Sequence, residues 1–287
     1  MPQRLVITGA GGMVGRVLAA HAGRLGRDVL PLTSAECDIT DPAAVARHVA
    51  AGDMVVNCAA LANVDAAESE PDRARAVNAA GPGNLATACA RVGAGLIHLS
   101  TDYVFGGDFG GAPPRPYDID DVPAPLSVYG HSKLAGERAV LDALPDAYVV
   151  RTAWVYEGAD GADFVAVMRR KAQGAETVDV VADQTGSPTS AHDLAGALLE
   201  IADGGARGPV LHAANAGEAS RFDQARAVFE ALGADPERVR PVGSDRFPRP
   251  ARRPAYSALS GAGSAARGLT PLRPWREALV AAVHGER

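Results

Sequence analysis

Leu5-Val6-Ile7-Thr8-Gly9-Ala10-Gly11-Gly12-Met13-Val14-Gly15 joins a short apolar run to a glycine-rich turn, and the turn to a helical pattern that continues to about Leu25. A strand of this kind must be buried on both faces, because nothing in it alternates with polar residues. Gly9, Gly12 and Gly15 recur every third position across the junction. Glycine there closes the turn, lets a pyrophosphate approach the backbone and lets helix pack on strand, while the helix N-terminus attracts the anion. The stretch reads as the first βα unit of a dinucleotide-binding sheet.

The same alternation runs on from it. Asp28–Leu32, Met54–Asn57, Gly95–Leu99 and Tyr148–Arg151 are short apolar runs separated by helical patterns, the signature of an α/β protein with a parallel sheet covered by helices. Pro31 marks the second strand as an edge or a strand end. Asp41-Pro42 reads as an N-cap followed by proline at the first helical position. The second half is less regular: Val178–Val181 and Pro209–His212 suggest strands, and 191–201, 220–232 and 274–283 suggest helices. Gly106–Pro116 is a loop by composition, and the basic, proline-rich 246–254 stretch is irregular. The expected fold is a Rossmann-type doubly wound parallel sheet with a smaller C-terminal α/β lobe. Residues 1–151, with 183–215 returning, form the dinucleotide-binding part, and 152–182 with 216–287 form the substrate lobe.

Composition narrows the function. The chain has 287 residues and a net charge of −6, which argues against a nucleic-acid surface. Cys37, Cys58 and Cys89 form no Cys-x-x-Cys pair and fit a reducing compartment. Met1–Arg4 leads straight into the first strand, so no signal peptide is expected, and no apolar run approaches the length of a membrane span. A cytoplasmic protein is expected. Lys133 and Lys171 are the only lysines among 28 basic residues, which makes a lysine in a motif position more telling.

That lysine is Lys133, in Ser127-Val128-Tyr129-Gly130-His131-Ser132-Lys133. On a helix, Tyr129 and Lys133 at i and i+4 share a face, and a cation beside a phenol makes it a better acid. Thr101, ending the fourth strand, offers a hydroxyl to the same oxygen that Tyr129 would protonate. Thr101, Tyr129 and Lys133 are therefore the candidate catalytic set for hydride and proton transfer. On the cofactor side, the second strand ends at Leu32-Thr33-Ser34 with no carboxylate, so a 2′-phosphate beside Thr33 would not be repelled; Arg16 would reach it or lie solvated. The expected cofactor is NADPH, with NADH as a substitute. Asp38 is placed to accept from the adenine amine, Asp41 already serving as the cap. Small residues in Asn57-Cys58-Ala59-Ala60 suit a flat cofactor lying over the strand ends.

At these residues the chain resembles the extended short-chain dehydrogenase/reductase superfamily, and within it the reductases of dTDP-4-ketosugars. The resemblance covers nearly the whole length. It rests on Val64-Asp65-Ala66-Ala67-Glu68, Val77-Asn78-Ala79, Ser100-Thr101-Asp102-Tyr103-Val104-Phe105, the Tyr129–Glu137 segment, Arg151-Thr152-Ala153-Trp154-Val155-Tyr156, Asp183–Thr189 and Arg253-Pro254. Tyr103 stands where nucleotide-sugar dehydratases carry a glutamate for elimination, which separates this chain from them.

The resemblance implies NADPH-dependent reduction of the 4-keto group of dTDP-4-dehydro-6-deoxy-L-mannose to dTDP-L-rhamnose. It implies that Gly12, Met13 and Val14 meet the pyrophosphate, Asp38 and Ile39 the adenine, and Ala60, Leu61 and Ala62 the middle of the cofactor, with Ala59 and Asn78 in the same set. Thr101, Asp102 and Trp154 would face the sugar nucleotide together with Val64 and Asp65. Arg253 would sit at the diphosphate, with Arg249 and Arg252 as neighbouring alternatives. Some relatives bridge subunits with magnesium through glutamates; His192 stands where such an acid would be sought, so no metal is expected, and a homodimer stays open. Two other functions stay open as well. One is a 4-ketoreductase for another dTDP-deoxysugar. The other is a non-catalytic cofactor-binding regulatory subunit, against which the intact Thr101, Tyr129 and Lys133 argue.

Overall fold

The computed structural model describes residues 3–158 and 161–285. Met1 and Pro2, on which part of the expectation about a leader rests, lie outside the described residues. A six-stranded sheet is built from β1 (Leu5–Thr8), β2 (Val29–Leu32), β3 (Met54–Asn57), β4 (Gly95–Thr101), β5 (Tyr148–Thr152) and β10 (Val210–His212). Its order is β10-β5-β4-β3-β1-β2, and every pairing is parallel. The chain reverses its direction of travel across the sheet between β1 and β3, the place where such sheets open a crevice at their carboxyl ends. Pro31 lies in β2, an edge strand, where its missing N–H breaks no inner ladder.

Both faces of the sheet are covered, which explains the unbroken apolar runs. Leu5, Ile7, Val56, Ile97 and Leu99 pack on one face with α1 (Met13–Arg24) and α8 (Ala191–Ala202). Val6, Val55, Leu96 and Val149 pack on the other, where α5 (Gly81–Val92) and α6 (Val128–Ala143) contribute Leu85 and Val140. Between β1 and α5 lie α2 (Pro42–Ala46), α3 (Val64–Ser69) and α4 (Pro71–Arg75), and a π-helical turn at Ala76–Ala80 runs α4 into α5. Asp41 caps α2 as its Asp-Pro sequence predicts, accepting from Ala43 N. Strand β4 continues two residues past its apolar run and ends at Thr101.

A separate core gathers Tyr156, Val165, Met168, Val228, Phe229 and Leu279. It lies among α7 (Phe164–Gln173), α9 (Arg221–Ala231) and α11 (Trp275–His284), beside the parallel pair β7 (Val178–Val181) and β12 (Val239–Val242). Strand β12 and two further pairs were not expected from the sequence: β6 (Val155–Tyr156) with β9 (Thr189–Ser190), and β8 (Thr185–Gly186) with β11 (Ala219–Ser220). Each of those pairs has strands of two residues, too short to carry a period. The short α10 (Ala262–Ala266) follows the irregular 247–254 stretch. Among the described residues no helix is long and apolar enough to cross a membrane.

Candidate active site

Two cavities open at the carboxyl edge of the sheet and beside it. The first, of about 330 Å³, is lined by Gly9, Gly11, Gly12, Thr33, Ser34, Cys37, Asp38, Ile39, Cys58, Ala59, Ala60, Leu61, Arg73 and Val77. Its floor exists because two glycines carry no side chain: a Cβ on Gly9 would lie 2.5 Å from Ala59 N, and one on Gly15 would lie 2.4 Å from Gly9 O. Gly12 caps α1 without a side-chain hydrogen bond, and the first turn of α1 holds no acid. The free N–H groups of a three-turn helix therefore point at this cavity with nothing to neutralise them, which suits a pyrophosphate. Met13 and Val14 offer backbone only, since both side chains pack against the core. Ala62 is not among the lining residues of this cavity.

Several expected cofactor residues are placed differently. Asn78 is fully buried, and it brackets rather than lines. Its Oδ1 accepts from Leu61 N at 2.8 Å, and its Nδ2 donates to Leu61 O at 3.2 Å and to Ser132 Oγ at 3.0 Å. It thus ties the Leu61 loop to α6. Arg16 does not reach toward β2; it pairs with Glu157, just past β6. The end of β2 is not free of carboxylate either. Glu36 turns back so that its Oε2 accepts from Thr33 N at 2.7 Å and Thr33 Oγ1 at 2.8 Å, bonds that hold its carboxyl below the usual range. An acid three residues downstream occupies the place the sequence left empty. Asp38 lines the cavity while one of its oxygens accepts from Thr40 N and Thr40 Oγ1.

The second cavity, of about 510 Å³, is lined by Val64, Tyr103, Phe164, Met168, Asp179, Val180, Val181, Gln184, Arg221, Phe247, Arg249 and Arg253. Arg253 does not stand free in it. Asp65 takes both of its terminal nitrogens, and Arg249 approaches the same carboxylate at 3.7 Å. Arg221, which nothing in the sequence singles out, lies 3.6 Å over the Trp154 ring and donates to Gln224 Oε1. Burial pushes its guanidinium down to about 10. Trp154 is held hard: its φ is +45°, a costly conformation for an aromatic residue. Gly186 makes room for it, because a Cβ there would lie 2.5 Å from the indole. Among the described residues the buried indole Nε1 has no hydrogen-bond partner.

Tyr129 lies at the start of α6 and is not among the lining residues of either cavity. Ser127 caps α6 by accepting from Gly130 N, and Glu68 of α3 accepts from Val128 N, so the first turn carrying Tyr129 is fixed from two sides. Its ring meets Tyr103 edge-on, centroids 6.1 Å apart, and Tyr103 lines the second cavity. Burial pushes the Tyr129 phenol well up, with the Thr101 hydroxyl pulling the other way. Thr101 Oγ1 donates to Asp102 Oδ1 at 3.0 Å, and Ser257 Oγ donates to Asp102 Oδ2 at 2.6 Å. Burial nevertheless raises the Asp102 carboxyl to about 6.

Helical spacing does bring Tyr129 and Lys133 to one face, but the amine turns down into the protein. Lys133 Nζ lies 2.5 Å from Leu99 O and 3.4 Å from His98 Nε2, and burial lowers it to about 8. The acidifying cation expected beside the phenol is thus retracted. Beneath it Glu137 holds Arg151 at 2.8 and 3.0 Å and accepts from Ser100 Oγ at 2.6 Å. Among the described residues no group of three His, Cys, Asp or Glu side chains is arranged to hold a metal ion.

A parallel sheet with an uncapped glycine cradle and a Thr-Tyr-Lys set defines a nicotinamide-dependent oxidoreductase of the short-chain dehydrogenase type. The family model described as RmlD substrate binding domain matches residues 3–287. A dTDP-4-dehydrorhamnose reductase of Mycolicibacterium smegmatis is 68% identical over 99% of this chain and 87% of its own length. A dTDP-4-dehydrorhamnose reductase structure from Clostridium acetobutylicum superposes with a TM-score of 0.90 at 36% identity, covering 98% of this chain and 99% of that one. One from Bacillus anthracis, in complex with NADP, superposes with a TM-score of 0.88 at 35% identity, covering 97% and 98%. The chain belongs to the RmlD family of reductases.

Proposed function

We propose that this chain reduces the 4-keto group of dTDP-4-dehydro-6-deoxy-L-mannose to give dTDP-L-rhamnose, with NADPH as reductant. The observation that carries the reading is the edge-on contact of Tyr129 with Tyr103, which walls a cavity together with Arg221, Arg249 and Arg253, in a chain whose sheet also opens a glycine cradle suited to a dinucleotide. When bound, the cofactor supplies hydride to the carbonyl carbon. The residues do the rest. Gly9, Gly12 and the α1 N-terminus hold the pyrophosphate, Asp38 and Ile39 the adenine side, and Ala59 to Leu61 the middle.

Tyr129 gives its proton to the carbonyl oxygen, and Thr101 hydrogen-bonds the same oxygen. Burial keeps the phenol protonated near neutrality, the form needed in the reducing direction. A Lys133 ammonium brought up beside it then eases the proton's departure. Trp154 backs Arg221 from beneath, and the arginines of the second cavity suit the diphosphate.

We infer likewise that residues 1–151 with 183–215 hold the cofactor, and that 152–182 with 216–287 form the substrate lobe. Pairing of β10 with β5 and packing of α8 residues with those of α1 support this division, as does the core around α7, α9 and α11. The protein is expected to work in the cytoplasm, and sedimentation of the purified chain decides whether it does so as a homodimer. A panel of dTDP-4-ketosugars offered with NADPH, with products identified by NMR, tests the function. Formation of dTDP-L-rhamnose is the expected result. Preference for another sugar changes the substrate but keeps the chemistry, and no NADPH consumption with any of them ends the reading.

A further inference from the structure

His98 is fully buried on β4, and the chemistry proposed above leaves it unused. Its surroundings determine where its proton sits. Ala59 N–H is a backbone donor and admits no alternative; it donates to Asn57 Oδ1 at 3.0 Å, as does Thr8 Oγ1 at 2.8 Å. The oxygen of the Asn57 amide is therefore identified, and the opposite corner, Nδ2, is a donor. That nitrogen lies 3.0 Å from His98 Nδ1. Nδ1 must accept, so the ring is neutral with its proton on Nε2. An imidazolium would set two donors against each other in a dry site, and burial and the Lys133 charge also drive the ring well below its ordinary pKa.

The Nε2–H so fixed faces Lys133 Nζ at 3.4 Å. An ammonium there would present a donor to a donor. A neutral amine presents its lone pair to His98 while one of its own N–H groups donates to Leu99 O at 2.5 Å. The other titratable groups around the amine do not reverse this. Glu137, on the same helix, has both oxygens committed to Arg151 of β5, and one of them also to Ser100 of β4. The Cys58 thiol, from the end of β3, is pushed up to about 12 by burial and stays neutral.

We propose that His98 is a positioning residue for Lys133: the buried chain Ala59–Asn57–His98 aims a fixed Nε2–H at Nζ, which weakens the amine's hold on its proton and keeps it retracted on the Leu99 carbonyl. The cation assists Tyr129 when the amine leaves this berth. The inference rests on the roles given to Tyr129 and Lys133 above, but the titration and tautomer measurements that decide it need no substrate, so its failure leaves the reductase reading standing. Because the chain has only two lysines, lysine-selective ¹³C/¹⁵N labelling gives two side-chain signals, assigned by Lys171→Arg.

In the resting protein the Lys133 signal is expected to titrate near 8, and long-range ¹H–¹⁵N spectra should show His98 protonated on Nε2 alone. In His98→Leu, which removes the opposing donor, the Lys133 titration should move upward by about one pH unit. The pH limb of kcat/KM that reports Lys133 should move with it. An unmoved Lys133 titration in a folded variant overturns the proposal. Should His98→Leu fail to fold, the tautomer in the unaltered protein decides: a proton on Nδ1 overturns it, and one on Nε2 supports it.

Discussion

Both carboxylate oxygens of Asp65 face the guanidinium of Arg253, Oδ1 at 2.6 Å from Nη1 and Oδ2 at 2.8 Å from Nη2. Asp65 lies in the first turn of α3, and Arg253 lies in the irregular stretch near the far end of the chain, so this fork ties two distant segments together beside the second cavity. Only about a fifth of either side chain is exposed, 24% for Asp65 and 17% for Arg253. A bidentate pair so placed is orienting as well as attractive. Arg253→Ala is expected to raise KM for the dTDP-sugar by about tenfold or more while leaving NADPH affinity intact. Asp65→Ala should raise the same KM by releasing the guanidinium from its pose, and the two changes together should fall short of additive by about 0.5–3 kcal/mol. Full additivity would mean that the pair does not act as a unit.

Tyr129→Phe keeps the ring and its edge-on contact with Tyr103 and removes only the hydroxyl that carries the proton. Turnover should drop by roughly 10²–10⁴-fold with cofactor binding little changed. Near-normal turnover would take Tyr129 out of the chemistry.

Asp102 links pH to stability in an unusual direction. Its carboxyl rises from 3.8 to about 6 on folding, so the fold disfavours the charged form. The penalty is absent below about pH 4 and complete above about pH 6, where it amounts to roughly 3 kcal/mol. Stability therefore falls across that window as pH rises. Asp102→Asn should raise Tm at pH 7 and flatten the dependence of Tm on pH between 4 and 6, at the cost of activity. A variant with an unchanged pH profile of Tm would show that Asp102 is not the group responsible.

Glu36 places a negative charge on Thr33, at the end of β2. Glu36→Ala should raise the ratio of kcat/KM for NADPH over NADH by about fivefold, a modest gain because the carboxylate is exposed and screened. Thr33→Asp should move the ratio the other way. Indifference of the ratio to both changes would place the 2′-phosphate elsewhere.

Glu137 neutralises Arg151 in a pair whose side chains are 4% and 5% exposed. Removing one charge strands the other, so Glu137→Ala should cost about 3–5 kcal/mol in denaturant unfolding. A loss under 1 kcal/mol would mean that water or a rearranged partner reaches Arg151.

How much of this was legible beforehand differs from residue to residue for physical reasons. The sheet and its cradle were readable because they rest on local rules: unbroken apolar runs for doubly covered strands, glycine where backbone meets backbone, proline on an edge, Asp41-Pro42 at a helix start. Tyr129 and Lys133 were readable to the extent that helical spacing fixes a face. Spacing does not say where the end of a long side chain settles, and the Leu99 carbonyl and His98 that receive Nζ lie some 34 residues away on β4. Glu36 escaped because a side chain folding back three residues leaves no period. Arg221 and the Asp65–Arg253 fork escaped because they exist only once segments more than 60 residues apart have met.

The last strand of the sheet, β10, arrives nearly 60 residues after the strand it pairs with, β5. Until the ribosome has released Val210–His212, the outer ladder of β5 has no partner. At ordinary synthesis rates that interval lasts roughly 3–12 s. Through it the nascent chain carries an open strand edge with apolar Val149 and Val150 on it, the kind of surface that recruits other strands. The arrangement that lets one polypeptide wrap two ligands thus sets a window of vulnerability during translation, and slowing elongation between residues 153 and 209 should raise the share of chains lost to aggregation.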